Sequence, residues 1–487
     1  MSDLEAGYEV VVVGAGNAGL AAALSAAEHG AKAALLEKAS EPLRGGNIYF
    51  TRGSRFAWNS LEDDILPLIP HIAESEIKQL RDKAEPYTQG RFYDDVMLVS
   101  EGRSDPALLQ MLVSESLPTV KWLREMGHEW TPDVRPDASH AVLLNGGRAG
   151  LSDRGFGIAA RRGVDVRFEN IAMELLRDSR GRVSGVRALT PQGFTRLHAK
   201  AVILASGGFE ADPALRATFL GPGWETARIR GVPFNTGDGL RMAWDIGAQS
   251  CGQLSGCHAS PQDVNHPPYC LRTQPMLQYR RNVYPWCITV NIDGRRFMDE
   301  GSDFRPYTYA KFGRFIMSQP QAVAFQIMDD KIAHLLKDYG KATGGKADTL
   351  EALAIKLGLE PGPLIDTIQE YNKAVQPGTF NHKILDGKRT AGLAINKSNW
   401  AMTIDTPPFQ GYVVCGAVTF TFGGLRINTE AQVMSTWEAP IPGLYACGEI
   451  VEGVFYSNYP GCSGMMQGAV FGRKAGLNVA RIAKGCA

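Results

Sequence analysis

The sequence predicts an α/β protein in which a Rossmann-type nucleotide-binding domain is interrupted by a second domain. Three observations lead to this fold class. A strand, a glycine-rich turn, a helix and a second strand follow one another over residues 8–38. Two later apolar strands, over 194–204 and 443–450, also lead into glycines. From about Gly256 prolines, aromatic residues and cations are mixed, which is typical of an inserted domain.

The N-terminal segment carries a GxGxxG fingerprint after a short β-branched run that is typical of a buried parallel strand. Gly14 permits the tight turn, and Gly16 lets backbone amides approach a pyrophosphate. Gly19 lets the following helix, from about 18 to 30, pack against the strand. Glu37 ends the second strand, where a carboxylate binds a ribose hydroxyl and disfavours NADP. These features predict a dinucleotide site.

The middle of the first domain is predicted to hold one surface helix and a small β-meander. Apolar residues recur at helical spacing over 105–126, with Asp105 as N-cap and Pro106 in the first turn. Apolar or alternating runs around turn residues then predict three strands, at 164–169, 183–190 and 194–204. The last strand ends in the string ASGGF, a second place where the backbone can approach the nucleotide closely.

The inserted domain is predicted to contain one long helix over 349–375, and the chain leaves it near Pro407-Pro408. The first domain then resumes with a buried strand over 443–450 and a glycine- and alanine-rich helix over 463–480. The expected boundaries are 1–255 and 406–487 for the nucleotide-binding domain and 256–405 for the insertion.

Composition and charge exclude several classes of protein. The 487 residues include 51 basic and 51 acidic side chains, so no general field attracts nucleic acid or an anionic membrane. The N-terminus lacks a signal-peptide pattern and no run approaches about eighteen apolar residues, so we expect a cytoplasmic protein. The eight cysteines show no zinc, c-type haem or iron–sulfur spacing. A redox function would therefore need an organic cofactor, and three distant glycine-marked segments fit a permanently wrapped FAD better than NAD.

Longer strings carry a more specific signal than the fingerprint. After GAGNAGLAAALSAAEHGAKAALLEK the chain contains RGGNIYFTRG, ASGGF, TGDGLRMAWDIGA, VNIDGRRFMDEG and CGEIVEGVF. Together they resemble the flavoprotein superfamily of fumarate reductase, succinate dehydrogenase and 3-ketosteroid delta-1-dehydrogenase over nearly the whole chain. A second set is most similar to tricarballylate dehydrogenase and its relatives: GCHA, DFRPYTYAKFGR, KSNWA, PPF, VTFTFGGL, FYSNYPGCSG and GAVFGRKAG.

The resemblance implies an FAD-binding domain with an inserted α+β capping domain, and a substrate held between the cap and the flavin ring. It also implies hydride exchange with the flavin across a carbon–carbon bond beside an electron-withdrawing group. Succinate dehydrogenases attach FAD covalently through a histidine in the loop that corresponds to RGGNIYFTRG, where this chain has Asn47. We therefore expect non-covalent FAD.

Arg305 is the proton-transfer residue that the resemblance implies, since it follows GRRFMDE as an arginine does in fumarate reductases. Because an arginine normally stays protonated, a proton shuttle needs relay partners, for which Glu300 and Asp303 are candidates. The alternative is that Arg305 only pairs with a substrate carboxylate or with Asp303. Tyr307 is the second candidate for the base, since ketosteroid dehydrogenases place a tyrosine in this region.

Two departures from fumarate reductases bear on the substrate. Phe420 and Tyr459 stand where those enzymes carry a histidine and a second arginine that grip a dicarboxylate. The segment around Tyr459 resembles instead the YPGPG string of ketosteroid dehydrogenases, whose tyrosine holds a ketone oxygen and stabilises an enolate. The alternative for Tyr459 is an aromatic side chain packed beside the flavin.

The loop after GGN is less cationic than the resemblance to tricarballylate enzymes implies. Ile48, Tyr49 and Phe50 replace a Ser-Arg-His triplet, which favours a bulkier and less anionic substrate. His258 and Lys397 remain candidate carboxylate partners, and Tyr49 and Phe420 are further candidate substrate contacts. The alternative for His258 and Lys397 is a hydrogen bond within the cap or a solvated charge.

The resemblance also assigns the contacts to FAD. Glu449 is expected to bind ribityl or ribose hydroxyls, and the helix that begins near Ser463 directs its dipole at the flavin. Ser463 is in addition a candidate substrate contact. The predicted cofactor contacts are Gly14, Gly16, Asn17, Ala18, Gly19, Glu37, Lys38, Arg44, Gly45, Gly46, Asn47, Arg52, Gly53, Gly207, Gly208, Asp238, Gly448, Glu449 and Ser463.

These features predict an FAD-dependent oxidoreductase that desaturates, or saturates, a carbon–carbon bond beside a ketone or carboxylate of a small organic acid, such as a cyclic oxo-acid. A tricarballylate or other polycarboxylate dehydrogenase and a fumarate-reductase-type enoate reductase are the alternatives. A flavin-binding module without a substrate of its own is a third class. The electron acceptor stays open between a quinone, a separate redox protein and oxygen, and neither a metal nor a nucleic acid is expected.

Overall fold

The computed structural model describes residues 6–51, 53–132, 143–144, 150–274, 276–336 and 342–485. The chain forms two compact units. Unit 1 contains Met1–Leu220, Gly231–Gly256 and Phe420–Ala487. Unit 2 contains Gly221–Arg230 and Cys257–Thr419.

The described residues form the following strands in chain order: β1 (Ala6–Val13), β2 (Ala33–Leu36), β3 (Thr131–Pro132), β4 (Leu143–Leu144), β5 (Asp165–Arg167), β6 (Ile171–Arg177), β7 (Val183–Thr190), β8 (Gly193–Leu204), β9 (Arg228–Ile229), β10 (Ser250–Asp263), β11 (Ile288–Val290), β12 (Val323–Met328), β13 (Gly344–Ala347), β14 (Phe409–Leu425), β15 (Gln432–Met434) and β16 (Pro440–Ala446).

The α-helices lie between these strands in the chain, singly or in groups. They are α1 (Asn17–Glu28), α2 (Glu74–Lys83), α3 (Gln89–Val99), α4 (Pro106–Met126), α5 (Gly150–Arg161), α6 (Pro213–Leu220), α7 (Asp238–Trp244), α8 (Tyr309–Met317), α9 (Leu350–Leu357), α10 (Pro361–Ala374) and α11 (Ser463–Ala483). Asp105 caps α4 by accepting hydrogen bonds from Ala107 and Leu108, as the sequence predicts.

Unit 1 is built on the predicted parallel sheet. Its strand order is β15-β16-β8-β1-β2-β5, and β1 pairs in parallel with both β2 and β8. The register places Val12 opposite Leu35 on one side and Ile203 on the other. All three side chains are buried, because parallel strands carry helices on both faces. The carboxyl ends of β1, β2, β8 and β16 therefore lie along one edge of this sheet.

The predicted meander is confirmed for two strands and wrong for the first. β7 and β8 pair antiparallel, but their partner is β6, and the segment predicted at 164–169 forms β5 beside β2. The reason is that β5 directly follows α5, and a strand reached through a helix returns parallel to its sheet. β8 is long enough to serve in the meander at its start and in the parallel sheet at its end.

Small residues bring α1 and α11 close together. A Cβ added at Gly472 would lie 2.5 Å from the carbonyl oxygen of Ala18, and one added at Gly476 would lie 2.3 Å from that of Ala22. The glycine- and alanine-rich composition of the two helices is therefore a requirement of their packing.

Unit 2 contains a sheet of order β10-β14-β12-β11, with β9 and β13 also paired to β14. Its core lies between this sheet and α9 and α10, where Ile288, Phe325, Leu353, Leu364 and Tyr371 are buried. The prediction of one long helix over 349–375 is wrong, since α9 ends at Gly358 in a left-handed conformation with φ of 74° and α10 begins at Pro361.

Among the described residues, none of the helices combines the length and the apolar character that crossing a membrane requires. The same residues contain no group of three or more His, Cys, Asp or Glu side chains arranged to hold a metal ion.

Candidate functional site

The GxGxxG turn has the geometry of a pyrophosphate-binding site. Gly14 has φ of +100°, and a Cβ added at Gly19 would lie 1.8 Å from the carbonyl oxygen of Gly14, so only glycine fits at both positions. No atom lies within 4 Å of a Cβ added at Gly16. The N-terminus of α1 begins directly after this open position, and its backbone N–H groups and dipole favour an anion.

The three glycine-marked segments converge in unit 1, as their spacing along the chain predicts. A Cβ added at Gly14 would lie 2.5 Å from the carbonyl oxygen of Ala205. One added at Gly208 would lie 2.5 Å from Glu449 Oε1, and one added at Gly448 would lie 2.6 Å from Ala18 Cβ. The ends of β1, β8 and β16 therefore meet at one place. A ligand that spans all three must be longer than a mononucleotide.

Glu37 lies at the end of β2, where a ribose would be bound. The side chain is 6% exposed, and its Oε1 accepts a hydrogen bond from Ala39 N at 2.9 Å. Burial raises the pKa of Glu37, although backbone N–H groups act in the opposite direction. Its neighbour Lys38 forms an ion pair with Asp238 at 2.7 Å and donates to Thr236 at 2.5 Å. Two predicted cofactor contacts, Lys38 and Asp238, therefore bind each other.

The loop that follows β2 is fixed by contacts within unit 1. Arg44 donates to Asp153 at 3.1 Å, and Gly45 has φ of +98°. The side chain of Asn47 accepts from Val232 N at 2.9 Å and donates to Glu210 at 2.8 Å. No atom lies within 3.9 Å of a Cβ added at Gly46, so this turn, like Gly16, leaves room for a ligand.

Tyr49, Phe50 and Gly53 continue this loop. The rings of Tyr49 and Phe50 meet edge to face with centroids 5.5 Å apart, and Gly53 is buried. The predicted cofactor contact Arg52 lies outside the described residues. Asn17, the first residue of α1, donates to the carbonyl of Met465 at 2.7 Å and so ties α1 to α11.

Two carboxyl groups, Glu210 and Glu449, form the centre of a polar network in unit 1. Asn235 Nδ2 donates to Glu210 Oε1 at 2.6 Å and lies 3.5 Å from Glu449 Oε2, while Thr421 N donates to Glu449 Oε1 at 3.0 Å. Burial and the charge of Glu210 raise the pKa of Glu449 well above its usual value. Burial likewise raises the pKa of Glu210.

Sequence reasoning missed Glu210 and Asn235, although it selected their partners Glu449 and Asn47. Glu210 directly follows the predicted ASGGF turn, which is the one signal that could have identified it. A Cβ added at Gly207 would lie 2.7 Å from the side chain of Asn235, so this amide also packs on the turn.

An aromatic cluster precedes α11. The ring of Tyr459 lies 4.8 Å from that of Phe420 and 5.6 Å from that of Phe455, measured between centroids, and Tyr459 is 8% exposed. Ser463 Oγ donates to Pro460 O at 2.5 Å at the start of α11. The structure thus places Tyr459, predicted to be catalytic, against the predicted substrate contact Phe420, and Ser463 follows four residues later at the start of α11.

The predicted proton-transfer segment lies in unit 2. Arg305 and Tyr307 belong to a 3₁₀ turn before α8, and both are partly buried. The relay candidate Glu300 is fully buried, pairs with Arg296 at 2.6 Å and accepts from Thr289 N at 2.7 Å. Asp303, the other relay candidate, lies two residues before Arg305 in the chain.

His258 and Lys397 are both buried in unit 2, at 1% exposure each. Lys397 Nζ donates to the carbonyl of Cys287 at 2.7 Å, and burial lowers the pKa of Lys397. This contact matches the alternative of a hydrogen bond within the cap. The ring of His258 meets that of Tyr309 edge to face at 4.9 Å.

Three arginines that sequence reasoning missed act on His258. Burial, and then the positive charges of Arg230, Arg280 and Arg314, lower the pKa of His258 well below its usual value. These arginines come from distant segments, and no local motif marks them as a group.

Comparisons with known proteins agree with this geometry. The family profile described as FAD binding domain matches residues 9–465. Fumarate reductase (cytochrome) of Shewanella frigidimarina is 31% identical over 498 residues, covering 98% of this chain and 77% of that protein. The 4-oxocyclohexanecarboxylate 2-dehydrogenase of Sinomonas cyclohexanicum is 26% identical over 540 residues, covering 93% of this chain and 89% of that protein.

A solved structure is similar over almost the whole chain. The open conformation of a flavocytochrome c3 fumarate reductase superposes with a TM-score of 0.73 at 26% identity, covering 99% of this chain and 79% of that one. The mixed α/β fold of this chain therefore matches that of a solved fumarate reductase flavoprotein with an FAD-binding domain and a capping domain.

Proposed function

We infer the reaction from one premise: the chain belongs to the FAD-binding family of fumarate reductase and succinate dehydrogenase flavoproteins, and it is an FAD-dependent oxidoreductase acting on CH–CH groups. We propose that it desaturates, or in reverse saturates, the bond between the α and β carbons beside a ketone or carboxylate of a small organic acid. A cyclic oxo-acid is the substrate that we favour.

The observation that carries this proposal is the contact of Tyr459 with Phe420 and Phe455 before α11. An apolar wall suits the carbon skeleton of a ring, and the phenol hydroxyl is a donor for a ketone oxygen. The similarity to a 4-oxocyclohexanecarboxylate dehydrogenase over 93% of the chain supports the same substrate class.

The residues of unit 1 fit FAD. Gly16 and Gly46 leave space beside the N-terminus of α1, and Glu37 and Glu449 end strands at the same sheet edge. FAD, when bound, accepts or supplies the hydride. The chain's own residues bind the nucleotide and handle the proton.

We propose that FAD is bound non-covalently. Asn47, at the position that the resemblance gives to a covalently linked histidine, uses its amide to hold Glu210 and Val232 and has no nucleophilic nitrogen. Acid precipitation of the yellow protein should therefore release the flavin into the supernatant. Flavin that stays in the pellet would contradict this proposal.

We propose Arg305 as the group that transfers the proton at the carbon beside the carbonyl, with Tyr307 as the second candidate. In the saturating direction the guanidinium donates that proton while the other carbon receives the hydride. In the desaturating direction the guanidinium must first give a proton to a neighbouring carboxylate, because a protonated guanidinium cannot accept the proton that leaves the substrate carbon. Asp303 is the carboxylate that we propose for this relay.

The proposal is tested by anaerobic titration of the holoprotein. We expect 4-oxocyclohexanecarboxylate, or a related cyclic oxo-acid, to bleach the visible flavin spectrum. Arg305→Ala should retain flavin but lose bleaching, whereas Arg295→Ala, which changes an exposed arginine of unit 2, should bleach like the wild type. A protein that takes up no FAD, or that no acid or ketone bleaches, would contradict the proposal.

A polycarboxylate dehydrogenase is a second candidate. The loop residues Ile48, Tyr49 and Phe50 carry no positive charge, but unit 2 contains cations near His258. These are Arg230, Arg280 and Arg314. Bleaching by tricarballylate but by no cyclic oxo-acid would favour this candidate.

A further inference from the structure

Arg55 is a buried arginine of unit 1 that contacts the turn before α11. Its side chain is 1% exposed. Nε donates to the carbonyl oxygen of Gly461 at 2.8 Å, and the backbone N–H donates to that of Cys462 at 3.4 Å. Arg55 therefore holds two successive carbonyl groups in the segment 459–463, which begins with Tyr459.

The backbone of this turn adopts a conformation that has to be held in place. Cys462 has φ of 73°, in the left-handed region that residues other than glycine avoid. Such a conformation persists where the surrounding contacts hold it, and it occurs often at functional sites. The N–H of Ser463 donates to Pro460 O at 3.1 Å and so closes the turn. Because a trans peptide is planar, fixing the Gly461 carbonyl also fixes the direction of the Cys462 N–H.

The guanidinium of Arg55 is fixed in turn by Tyr87 and Asp95. Its Nη1 donates to the hydroxyl of Tyr87 at 2.9 Å, and that hydroxyl donates to Asp95 at 2.7 Å. Burial raises the pKa of Tyr87, so the hydroxyl keeps the proton for this bond. The guanidinium also lies over the ring of Tyr87, 5.2 Å from its centroid. Since the N–H groups of a guanidinium lie in one rigid plane, these contacts direct Nε at Gly461.

The backbone beside these contacts is anchored at two places. Trp58 N donates to Tyr87 O at 2.8 Å in an antiparallel bridge. Ala57 N donates to the hydroxyl of Ser116 on α4 at 3.0 Å. All four residues are buried. Arg55 therefore ties the turn before α11 to a fixed part of unit 1.

A second network of the same three residue types shows what is particular to Arg55. At the start of β1, Tyr8 donates to Asp165 and accepts from Arg167 at 2.7 Å. The Nε of Arg167 donates to Asp165 itself, at 2.9 Å. In contrast, Nη1 of Arg55 lies 3.7 Å from Asp95, and its Nε binds a carbonyl outside the network. The contacts of Arg55 thus extend beyond pairing with an aspartate.

We propose that Arg55 is a positioning residue for the reaction, which holds the turn before α11 so that the hydroxyl of Tyr459 stays where the ketone oxygen binds. This inference rests on the proposed function, because it takes the ketone oxygen as the partner of Tyr459. A donor stabilises developing charge only from hydrogen-bonding distance of that oxygen. Small displacements of the turn should therefore slow the reaction, although Arg55 itself does not touch the substrate.

Tyr87→Phe tests the inference with a small change. The variant keeps the ring that contacts Arg55 and removes the hydroxyl that bonds to both the guanidinium and Asp95. The guanidinium can then close the 3.7 Å gap to Asp95, which draws Nε away from Gly461. We expect the rate of flavin reduction at saturating 4-oxocyclohexanecarboxylate to fall about tenfold, the effect of one lost hydrogen bond. The concentration that gives half the maximal rate should change less than about threefold.

Two further variants complete the set. Arg55→Lys keeps the charge but loses the planar fork, so its reaction should also slow at least about tenfold. Tyr8→Phe is the matched control, because it removes the hydroxyl from the network at the start of β1. Its rate should stay within about twofold of the wild type. Flavin content and melting temperature of each holoprotein show whether it is folded.

These rates decide the inference. Wild-type rates in both Tyr87→Phe and Arg55→Lys would overturn it. Slowing of Tyr8→Phe by the same factor as Tyr87→Phe would also overturn it, because the effect would then not depend on contact with the turn before α11.

A double-mutant cycle separates positioning from a general loosening of the fold. If Arg55 acts through the hydroxyl of Tyr459, Tyr87→Phe should slow the Tyr459→Phe variant by less than about threefold, because the hydroxyl to be positioned is absent. General loosening predicts the same loss in both backgrounds. Equal losses would overturn the inference and assign Arg55 a structural role.

The wild-type protein, measured in the same series, keeps this inference apart from the proposed function. A wild-type flavin that no cyclic oxo-acid reduces would contradict the proposed function and remove the basis for the role of Arg55. A wild type that reacts, together with variants that react at the same rate, would overturn only the role of Arg55.

Discussion

The side-chain amide of Asn235 joins two buried carboxyl groups, since its Nδ2 lies 2.6 Å from Glu210 Oε1 and 3.5 Å from Glu449 Oε2. The two carboxyl groups also face each other across Gly208, which has no side chain to separate them. Like charges this close cannot both ionise without cost, so the pair retains a proton more readily than an isolated glutamate does.

This pairing predicts a pH-dependent stability. The pKa values of Glu210 and Glu449 are raised in the folded state, so their contribution is fully present below the usual glutamate pKa and is lost as pH rises through the raised values. Glu210→Gln stays neutral at every pH. The variant should therefore gain stability relative to the wild type above about pH 4.5, by at most about 1.4 kcal/mol per pH unit.

Melting temperatures of the FAD-free proteins between pH 5 and pH 9 measure this difference. Glu125→Gln, on the exposed face of α4, is the control and should show no such trend. Glu452, whose charge also acts on Glu449, stays unchanged in both proteins. A constant difference between Glu210→Gln and wild type across this range would show that the pair holds no extra proton.

This network shows where prediction from sequence ends. Each glycine-marked turn is predictable because a local pattern, a strand followed by glycine, fixes its backbone. Asn235 lies in the string PFNTGDG, where nothing local indicates that its amide reaches Glu210 and Glu449. Contacts between side chains that are far apart in the chain depend on tertiary packing, which a single sequence does not display.

The arginines of unit 2 illustrate the same limit. Arg230 ends the short segment Gly221–Arg230, which belongs to unit 2 although the chain on both sides of it belongs to unit 1. The sequence predicts one contiguous inserted domain that begins near Gly256. That prediction could not assign the segment Gly221–Arg230 to unit 2.

Asp263→Asn is predicted to destabilise unit 2 strongly. Asp263 and Arg281 are 0% and 2% exposed and 2.8 Å apart, so the variant leaves a buried guanidinium without its partner. Breaking such a pair costs about 3–5 kcal/mol. Urea unfolding should show this loss, whereas Glu62→Gln, which breaks the exposed pair of Glu62 with Arg81, should cost less than about 1 kcal/mol. Similar small losses in both variants would contradict the prediction.

Alanine substitutions at Gly16 and Gly19 should impair different properties of the protein. The change at Gly19 should lower stability, and the change at Gly16 should weaken FAD binding. A Cβ at Gly19 lies 1.8 Å from the carbonyl oxygen of Gly14, so Gly19→Ala must displace α1 or the turn and should lower the melting temperature of the FAD-free protein. Gly16→Ala meets no protein atom within 4 Å and should fold normally. It should nevertheless bind FAD at least tenfold more weakly, because the added methyl group occupies the space for the pyrophosphate.

Fluorescence titration with FAD and melting curves without FAD distinguish the two variants. Gly7→Ala is the control, since a Cβ there meets no atom within 4 Å and the residue lies at the start of β1, away from the turn. If Gly16→Ala binds FAD as the wild type does, the pyrophosphate does not approach this turn.

Tyr459→Phe should distinguish a hydrogen-bonding role from an aromatic packing role. The ring contacts with Phe420 and Phe455 are kept in the variant, so fold and flavin content should not change. If the hydroxyl stabilises charge on a ketone oxygen, kcat for a cyclic oxo-acid should fall about 100-fold. Reduction of an enoic acid without a ketone should fall much less, because that substrate has no ketone oxygen for the phenol to bind. Stopped-flow measurement of flavin reduction or reoxidation gives both rates, and Tyr93→Phe on α3 serves as the control. Equal rates for Tyr459→Phe and wild type with the oxo-acid would show that Tyr459 acts only through aromatic packing. Another hydrogen-bond donor would then stabilise the ketone oxygen.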